Sequence, residues 1–208
     1  MTFIKICGIT NLDDARVAAA FGADSLGFNF YTKSPRFIAH GAAREIINEV
    51  GESVMTVGVF VNEPVERVQQ MASEADIGMI QLHGDETAEY VKEIKKRCGL
   101  EVIKAFRISQ ASEIGMIDDF AADDILLDAY SPILYGGSGE TTDWGLARRF
   151  AEAHPKVYLA GGLNAENVKI AIKTVRPFAV DVASGVESVN GRKDQKKLEE
   201  FIRNAKNA

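Results

Sequence analysis

The feature that most constrains the fold of this chain is an eightfold alternation of short apolar runs with helical patterns. The runs that predict strands are Phe3–Cys7, Ser25–Phe30, Val54–Val61, Met79–His83, Val102–Arg107, Ile125–Asp128, Val157–Ala160 and Ala179–Val182. The patterns that predict helices are Asp13–Phe21, Ala42–Val50, Pro64–Glu74, Thr87–Arg97, Ala111–Asp119, Asp143–Ala153, Ala165–Val175 and Gln195–Asn204. Strands that alternate with helices of about ten residues are typical of βαβ units and a parallel sheet.

Eight such units in a chain of 208 residues favour a closed barrel. We therefore predict an α/β fold, a (β/α)₈ TIM barrel with eight parallel strands, that forms one domain over residues 1–208. An open, doubly wound sheet is the alternative. That fold carries fewer repeats and a Gly-x-Gly-x-x-Gly turn after its first strand, whereas this chain has Cys7-Gly8-Ile9-Thr10 there.

Composition and charge limit the possible partners and location. The formal net charge of −6 argues against nucleic acid and against an anionic membrane surface, which both attract basic proteins. Neither a signal peptide nor a stretch of about 18 uninterrupted apolar residues is recognisable. We expect a cytoplasmic protein with free thiols, and we expect Cys98 to be structural.

The first predicted strand places unusual side chains on one of its faces. Side chains alternate along a strand, so Ile4 and Ile6 share one face while Lys5 and Cys7 share the other. The isoleucines suit a surface covered by helices. A cation and a thiol that end at a glycine turn suggest that Cys7 stands at the rim of the barrel and faces a substrate.

Asp128 is the second candidate for proton transfer, because it ends a predicted strand after three large apolar residues. Such a carboxyl group is expected to be partly desolvated, which favours its protonated form. Asp128 would then act as a general acid and Cys7 as a base, if Lys5 or nearby helix N-termini favour the thiolate. The alternatives remain open that Cys7 is a small core residue and that Asp128 caps a turn.

Glycine and serine in the last two strand-to-helix loops suggest a phosphate site. Gly161 and Gly162 follow the seventh strand, and Ser184 and Gly185 follow the eighth. In barrels these two loops often bind phosphate through backbone N–H groups. Glycines that only serve left-handed turns are the alternative.

Three further features concern ligand contacts. Arg36 lies in a loop after the second strand, where a guanidinium suits a carboxylate, although a solvated surface arginine is the simpler reading. The loop Tyr130–Glu140 could close over the site or be an idle connection. No cluster of histidine, cysteine and carboxylate has metal-ligand spacing, so we predict neither a catalytic metal nor a cofactor.

Several segments together resemble the phosphoribosylanthranilate isomerase family of tryptophan biosynthesis. They appear in family order and cover the chain from end to end. They are Lys5-Ile6-Cys7-Gly8-Ile9-Thr10, Ser34-Pro35-Arg36, Val57-Gly58-Val59-Phe60, Gln81-Leu82-His83-Gly84, Leu126-Leu127-Asp128, Gly136–Gly139 with Asp143-Trp144, Leu159-Ala160-Gly161-Gly162-Leu163, and Asp181-Val182-Ala183-Ser184-Gly185-Val186-Glu187.

The resemblance implies an Amadori rearrangement of a phosphorylated aminoaldose, N-(5′-phosphoribosyl)anthranilate, by a monomer or homodimer. By analogy Asp128 is the general acid and Cys7 the general base. Arg36 holds the anthranilate carboxylate, and Asp181 lies near the ligand. The two glycine loops, Gly161-Gly162 and Ser184-Gly185, bind the phosphate.

The chain departs from the family pattern at Glu140, Thr142 and Ala183, which concern the lid and one phosphate contact. Three alternative functions stay open. A related histidine-pathway isomerase uses paired aspartates, which Cys7 argues against. The second alternative is an indole-forming barrel, which needs a lysine at a strand end. The third is a barrel that only binds a phosphorylated ligand, which would show no turnover.

Overall fold

A computed structural model describes residues 2–107, 117, 120–128 and 143–208. The strands of the barrel are β1 (Phe3–Cys7), β2 (Ser25–Asn29), β3 (Met55–Phe60), β4 (Met79–Leu82), β5 (Glu101–Arg107), β6 (Asp124–Asp128), β7 (Val157–Leu159) and β8 (Ala179–Val182). The helices are α1 (Leu12–Phe21), α2 (His40–Val50), α3 (Val65–Ala75), α4 (Ala88–Cys98), α5 (Trp144–Ala153), α6 (Val168–Val175) and α7 (Gln195–Lys206). Within the described residues, 3₁₀ turns cover Gly51–Ser53 and Ser184–Val186.

The eight parallel strands form a closed barrel in chain order, which confirms the predicted fold class. Closure comes from the pairing of β1 with β8, in which Lys5 is level with Asp181. Eight strands give an interior just wide enough for side chains to fill. Every strand is therefore paired on both sides, and side chains from distant parts of the chain meet inside.

The alternation of side chains divides the core into two layers. Ile4 and Ile6 pack outward against the helices, as predicted. Side chains of the other face fill the lower interior of the barrel: Val57, Met79, Ile103, Leu126, Tyr158 and Ala179. Apolar burial contributes roughly 25 cal/mol per Å². Because both layers are buried only in this strand register, burial favours it. The register in turn determines which polar residues lie at the carboxyl ends of the strands.

Local sequence signals set several helix ends. Asp143 accepts hydrogen bonds from the N–H groups of Gly145 and Leu146 and so caps α5. Gly22 and Gly99 adopt left-handed conformations just beyond α1 and α4. The Asp143 cap lies at the carboxyl ends of the strands, where the site residues lie, whereas Gly22 and Gly99 lead into the amino ends of β2 and β5.

The structure corrects a few predicted boundaries. Helix α6 begins at Val168 rather than Ala165, because Asn164 accepts from the N–H groups of Glu166 and Asn167 in a turn. A hairpin of β9 (Glu187–Val189) and β10 (Arg192–Lys193), which we did not predict, follows β8. The predicted helix Ala111–Asp119 is largely outside the described residues, and the predicted lid Tyr130–Glu140 and Thr142 are entirely outside them.

Candidate active site

The carboxyl ends of the strands surround one open cleft of about 920 Å³. The predicted site residues that line it are Cys7, Arg36, Asp128, Gly161, Gly162, Asp181 and Ser184. A single space is thus lined by residues of β1, β2, β4, β6, β7 and β8 or of the loops after them.

Cys7 is the last residue of β1. The alternation that points Ile6 outward toward the helices turns the thiol of Cys7 into the barrel. It is partly exposed to the cleft. Gly27 is level with it on β2, and a Cβ atom at Gly27 would lie 2.8 Å from Cys7 Sγ and 3.2 Å from Lys5 Nζ. Glycine at position 27 therefore leaves the space that the thiol and the ammonium occupy.

A buried ion pair between Lys5 and Asp181 lies next to the Cys7 thiol. Lys5 is completely buried, and its Nζ donates to Asp181 Oδ1 at 2.9 Å. Burial disfavours the charge on Lys5, but Asp181 and Cys7 outweigh burial and raise the pKa of the ammonium above its ordinary value. Lys5 therefore stays charged next to Cys7. Asp181, which was predicted as a ligand contact, also holds this cation.

The sequence analysis made the role of Cys7 as a base conditional on Lys5 or helix N-termini favouring its thiolate. Burial raises the pKa of the Cys7 thiol above its ordinary value. The ammonium groups of Lys5 and Lys193 act in the opposite direction, but they do not outweigh burial and the carboxylate of Asp181. Cys7 is consequently a strong base once ionised, with a small ionised fraction near neutral pH.

Asp128 ends β6 on the interior face, while Ile125 and Leu127 pack on the helix side. Its Oδ2 lies 3.2 Å from Nε2 of His83, which follows β4. His83 Nδ1 in turn lies 2.8 Å from Nε2 of Gln81, the buried residue two positions earlier. A row of three hydrogen-bonding side chains thus joins β4 to β6 at the cleft.

Arg36 reaches the cleft, but its guanidinium is bound on one edge by a carboxylate that the sequence reasoning did not pair with it. Nε and Nη2 donate to Oε1 and Oε2 of Glu187, each at 2.8 Å. This bidentate pair is buried. Of the five guanidinium N–H groups, those on Nη1 and one on Nη2 lie outside the pair, so the other edge can bind a carboxylate.

Lys193 completes this group of charges. Its Nζ donates to Glu187 Oε1 at 3.1 Å and to the carbonyl oxygen of Cys7 at 2.6 Å. Burial raises the pKa of Glu187, but Arg36 and Lys193 outweigh burial and hold it below its ordinary value. Two formal cations thus share one carboxylate, and the cluster is biased toward an anionic ligand.

The two loops predicted to bind phosphate lie side by side. Gly161 and Gly162 have φ angles of 83° and 63°, which favour glycine. Ser184 also lines the cleft. Gly185 is placed differently: a Cβ atom there would clash with the carbonyl oxygen of Leu163. Gly185 therefore allows the two loops to approach each other closely.

Four residues of the site were missed as functional groups by sequence reasoning: Gln81, His83, Glu187 and Lys193. Gln81 and His83 are two positions apart in one predicted strand, a spacing that could have indicated that both enter the barrel. Glu187 was quoted only as part of a motif. Its partner Arg36 is 151 positions away, and no local pattern connects two such residues.

The described part of the chain offers neither a metal-binding cluster nor a membrane-spanning helix. No group of three or more histidine, cysteine and carboxylate residues is placed to hold a metal ion among residues 2–107, 117, 120–128 and 143–208. None of the helices within those ranges combines the length and apolar character that crossing a bilayer requires.

Comparison with known proteins gives a consistent result. Residues 4–204 match the family model described as N-(5′-phosphoribosyl)anthranilate (PRA) isomerase. The chain is 49% identical over 208 residues to an N-(5′-phosphoribosyl)anthranilate isomerase of Trichlorobacter lovleyi, with all of both chains covered.

Solved structures agree with this match. The phosphoribosyl anthranilate isomerase of Thermotoga maritima is 43% identical, with a TM-score of 0.92 and all of both chains covered. A phosphoribosyl anthranilate isomerase in complex with reduced 1-(o-carboxyphenylamino)-1-deoxyribulose 5-phosphate is 42% identical, with a TM-score of 0.89 and the same coverage.

Proposed function

The chain belongs to the N-(5′-phosphoribosyl)anthranilate isomerase family, and we propose that it converts N-(5′-phosphoribosyl)anthranilate into 1-(2-carboxyphenylamino)-1-deoxyribulose 5-phosphate. This Amadori rearrangement of an aminoaldose into an aminoketose is a step of L-tryptophan biosynthesis. The observation that carries the proposal is that Cys7 and Asp128, from two strands that are not neighbours, line the same cleft.

Asp128 is the proposed general acid. It gives a proton to the ring oxygen of the ribose, the bond between that oxygen and C1 breaks, and the nitrogen lone pair forms the C=N bond of a protonated Schiff base. The contact with His83 supports this role, because an N–H on Nε2 of His83 would stabilise the carboxylate that remains on Asp128. General acid catalysis of this kind contributes about 10²- to 10⁴-fold in rate.

Cys7 is the proposed general base. Its thiolate removes the proton from C2 of the Schiff base, and the electrons of that C–H bond form an enolamine, which tautomerises to the aminoketose. The proton gained by Cys7 balances the one given by Asp128, so no net acid or base is consumed. Lys5 supports this role because its buried ammonium lies beside the thiol and is held there by Asp181.

Arg36 and the glycine loops are the proposed binding groups. The free edge of Arg36 would hold the anthranilate carboxylate, and its pairing with Glu187 fixes the plane of the guanidinium. The loops with Gly161 and Gly162 and with Ser184 and Gly185 would hold the phosphate through backbone N–H groups. Asp181 would contact the ligand as well as Lys5.

Turnover by the purified protein tests the proposal. Consumption of the fluorescent anthranilate-linked substrate is followed for the wild type and for Cys7→Ser and Asp128→Asn, each of which is expected to lower kcat by about 10²- to 10⁴-fold. Cys98→Ser is the matched control, because this second cysteine lies in α4, away from the cleft. Near-normal rates in both site variants, with unchanged folding, would refute the acid and base assignments.

We propose further that residues 1–208 act as one domain, in the cytoplasm and without a cofactor. The protein acts as a monomer or a homodimer, which sedimentation of the purified protein distinguishes.

A further inference from the structure

The row Gln81–His83–Asp128 restricts where protons can sit. Gln81 is 1% exposed, and the side chain of His83 is 11% exposed. A neutral imidazole has one N–H donor and one lone-pair acceptor. Nδ1 of His83 lies 2.8 Å from Nε2 of Gln81, and Nε2 of His83 lies 3.2 Å from Oδ2 of Asp128. Whether Nδ1 donates or accepts toward Gln81 therefore determines whether Nε2 accepts or donates toward Asp128.

The orientation of the Gln81 amide distinguishes the two tautomers. Its Nε2 atom, which only donates, faces His83 Nδ1, and its Oε1 atom is buried without a hydrogen-bond partner among the described residues. With this orientation Nδ1 is the acceptor and Nε2 carries the proton. In the opposite tautomer, Nδ1–H would face the amide oxygen and a lone pair on Nε2 would face the carboxyl group of Asp128.

We propose that Gln81 and His83 are positioning residues for the isomerisation: Gln81 holds His83 in the Nε2–H tautomer, and that N–H donates to Oδ2 of Asp128. Asp128 then gives its proton to the substrate from its other oxygen, and the same N–H stabilises the carboxylate left behind. This inference rests on the proposed function only for the role of Asp128. The tautomer itself is a property of the protein alone.

Arg107 and Lys104 of β5 lie near the row, and each binds a carboxylate. Arg107 is level with Asp128, and its Nη2 donates to Asp85 at 2.7 Å. Lys104 binds Glu86 at 2.9 Å. His83 is the residue of the row that contacts Asp128.

The first experiment observes the tautomer directly. Long-range ¹H–¹⁵N correlation spectra of the wild-type protein with ¹⁵N-labelled histidine are recorded near pH 8, and the His83 signals are assigned from their loss in His83→Gln. We expect a protonated Nε2 and a pyridine-like Nδ1. An Nδ1–H tautomer, or a ring protonated on both nitrogens, would overturn the proposal whether or not the protein turns over the substrate.

The second experiment measures function. His83→Leu removes a donor to a carboxylate, so kcat is expected to fall by about ten- to a hundredfold with little change in KM. His83→Gln is expected to recover part of this loss, because its amide carries an N–H near the former Nε2. Gln81→Met is expected to lower kcat by about two- to tenfold. Gln70→Met, a surface change on α3, is the matched control.

A double variant separates positioning from simple packing. The amide of His83→Gln has no tautomers, so Gln81→Met is expected to cost less in that background than in the wild type. An equal loss in both backgrounds would show that Gln81 acts elsewhere and would overturn the proposal. If the wild type itself does not turn over the substrate, the proposed function fails, and the spectra still decide the tautomer.

Discussion

The two sides of the cleft present their proton-transfer groups in different electrical surroundings. Cys7 lies among buried charges, with Lys5 and Asp181 beneath it and Lys193 on its carbonyl oxygen. Asp128 contacts the imidazole of His83, which we propose to be neutral. A base benefits from a cation that stabilises its anion, whereas an acid that must carry a proton is better placed beside a neutral donor. The barrel thus provides opposite settings a few strands apart.

The largest expected effect concerns the ion pair beneath Cys7. Lys5→Met leaves Asp181 as an uncompensated buried charge, so we expect a loss of about 3–5 kcal/mol in the free energy of unfolding. Urea unfolding measures this loss. The double variant with Asp181→Asn is expected to recover part of it. If Lys5→Met alone is as stable as the wild type, the charged character of this side of the cleft does not matter for folding.

Arg36 tests whether the charged side also binds the substrate. Arg36→Met removes a charge-assisted contact with the ligand carboxylate, so KM is expected to rise by about ten- to a hundredfold with a smaller change in kcat. Steady-state kinetics measures both constants. Arg44→Met is the control, because this arginine is exposed on α2. An unchanged KM would remove Arg36 from the binding site.

Gly27 tests how closely the charged side is packed. Gly27→Ala places a Cβ atom 2.8 Å from Cys7 Sγ, so the thiol must shift, and we expect a loss of about 1–3 kcal/mol in stability and a reduced kcat. Gly41→Ala is the matched control, since nothing lies within 4 Å of its Cβ position. Equal behaviour of the two variants in thermal unfolding and turnover would contradict the close packing.

The titration of Cys7 sharpens the contrast between the two sides. Only the thiolate reacts with an alkylating agent, so in a Cys98→Ala background the rate constant is expected to rise about tenfold per pH unit up to the pKa of Cys7. Burial raises that pKa above its ordinary value, so the rise continues beyond about pH 8.5. Lys5→Met is expected to move the midpoint higher still. A midpoint below neutrality would contradict the described surroundings.

The smallest effect is expected at the surface, where charges are solvated. Arg16 and Glu49 are paired at 2.8 Å, with both side chains 55% exposed. Arg16→Met is expected to change the free energy of unfolding by less than about 1 kcal/mol. Urea unfolding beside Lys5→Met makes the comparison. Equal losses would mean that burial does not distinguish these ion pairs.

Much of the fold could be predicted because it depends on patterns among residues that are close in the sequence. The strand-like runs indicated all eight barrel strands, with ends that differ by at most one residue, since alternation and flanking glycines are local signals. The hairpin of β9 and β10 was missed, because strands of three and two residues are too short to show a period. Hairpin formation nevertheless brings Glu187 and Lys193 to the site.

The site was predictable in its members and less so in their partners. Cys7, Asp128 and Arg36 could be chosen because barrels concentrate chemistry at the carboxyl ends of strands. The pairing of Arg36 with Glu187 and the contact of His83 with Asp128 depend on how the strands close and on the exact register. The raised pKa of Cys7 also follows from burial in the folded protein, which residue type alone does not indicate.

The sequence by itself determined the number of strands, the face on which each side chain lies and the end of the barrel where polar residues collect, because these follow from spacing between neighbours in the chain. Only the tertiary structure decided which buried charges and hydrogen-bonding groups meet. Lys5 and Asp181 are 176 positions apart, and barrel closure brings them within 2.9 Å. Their energies depend on burial and distance, which exist only after the chain has folded.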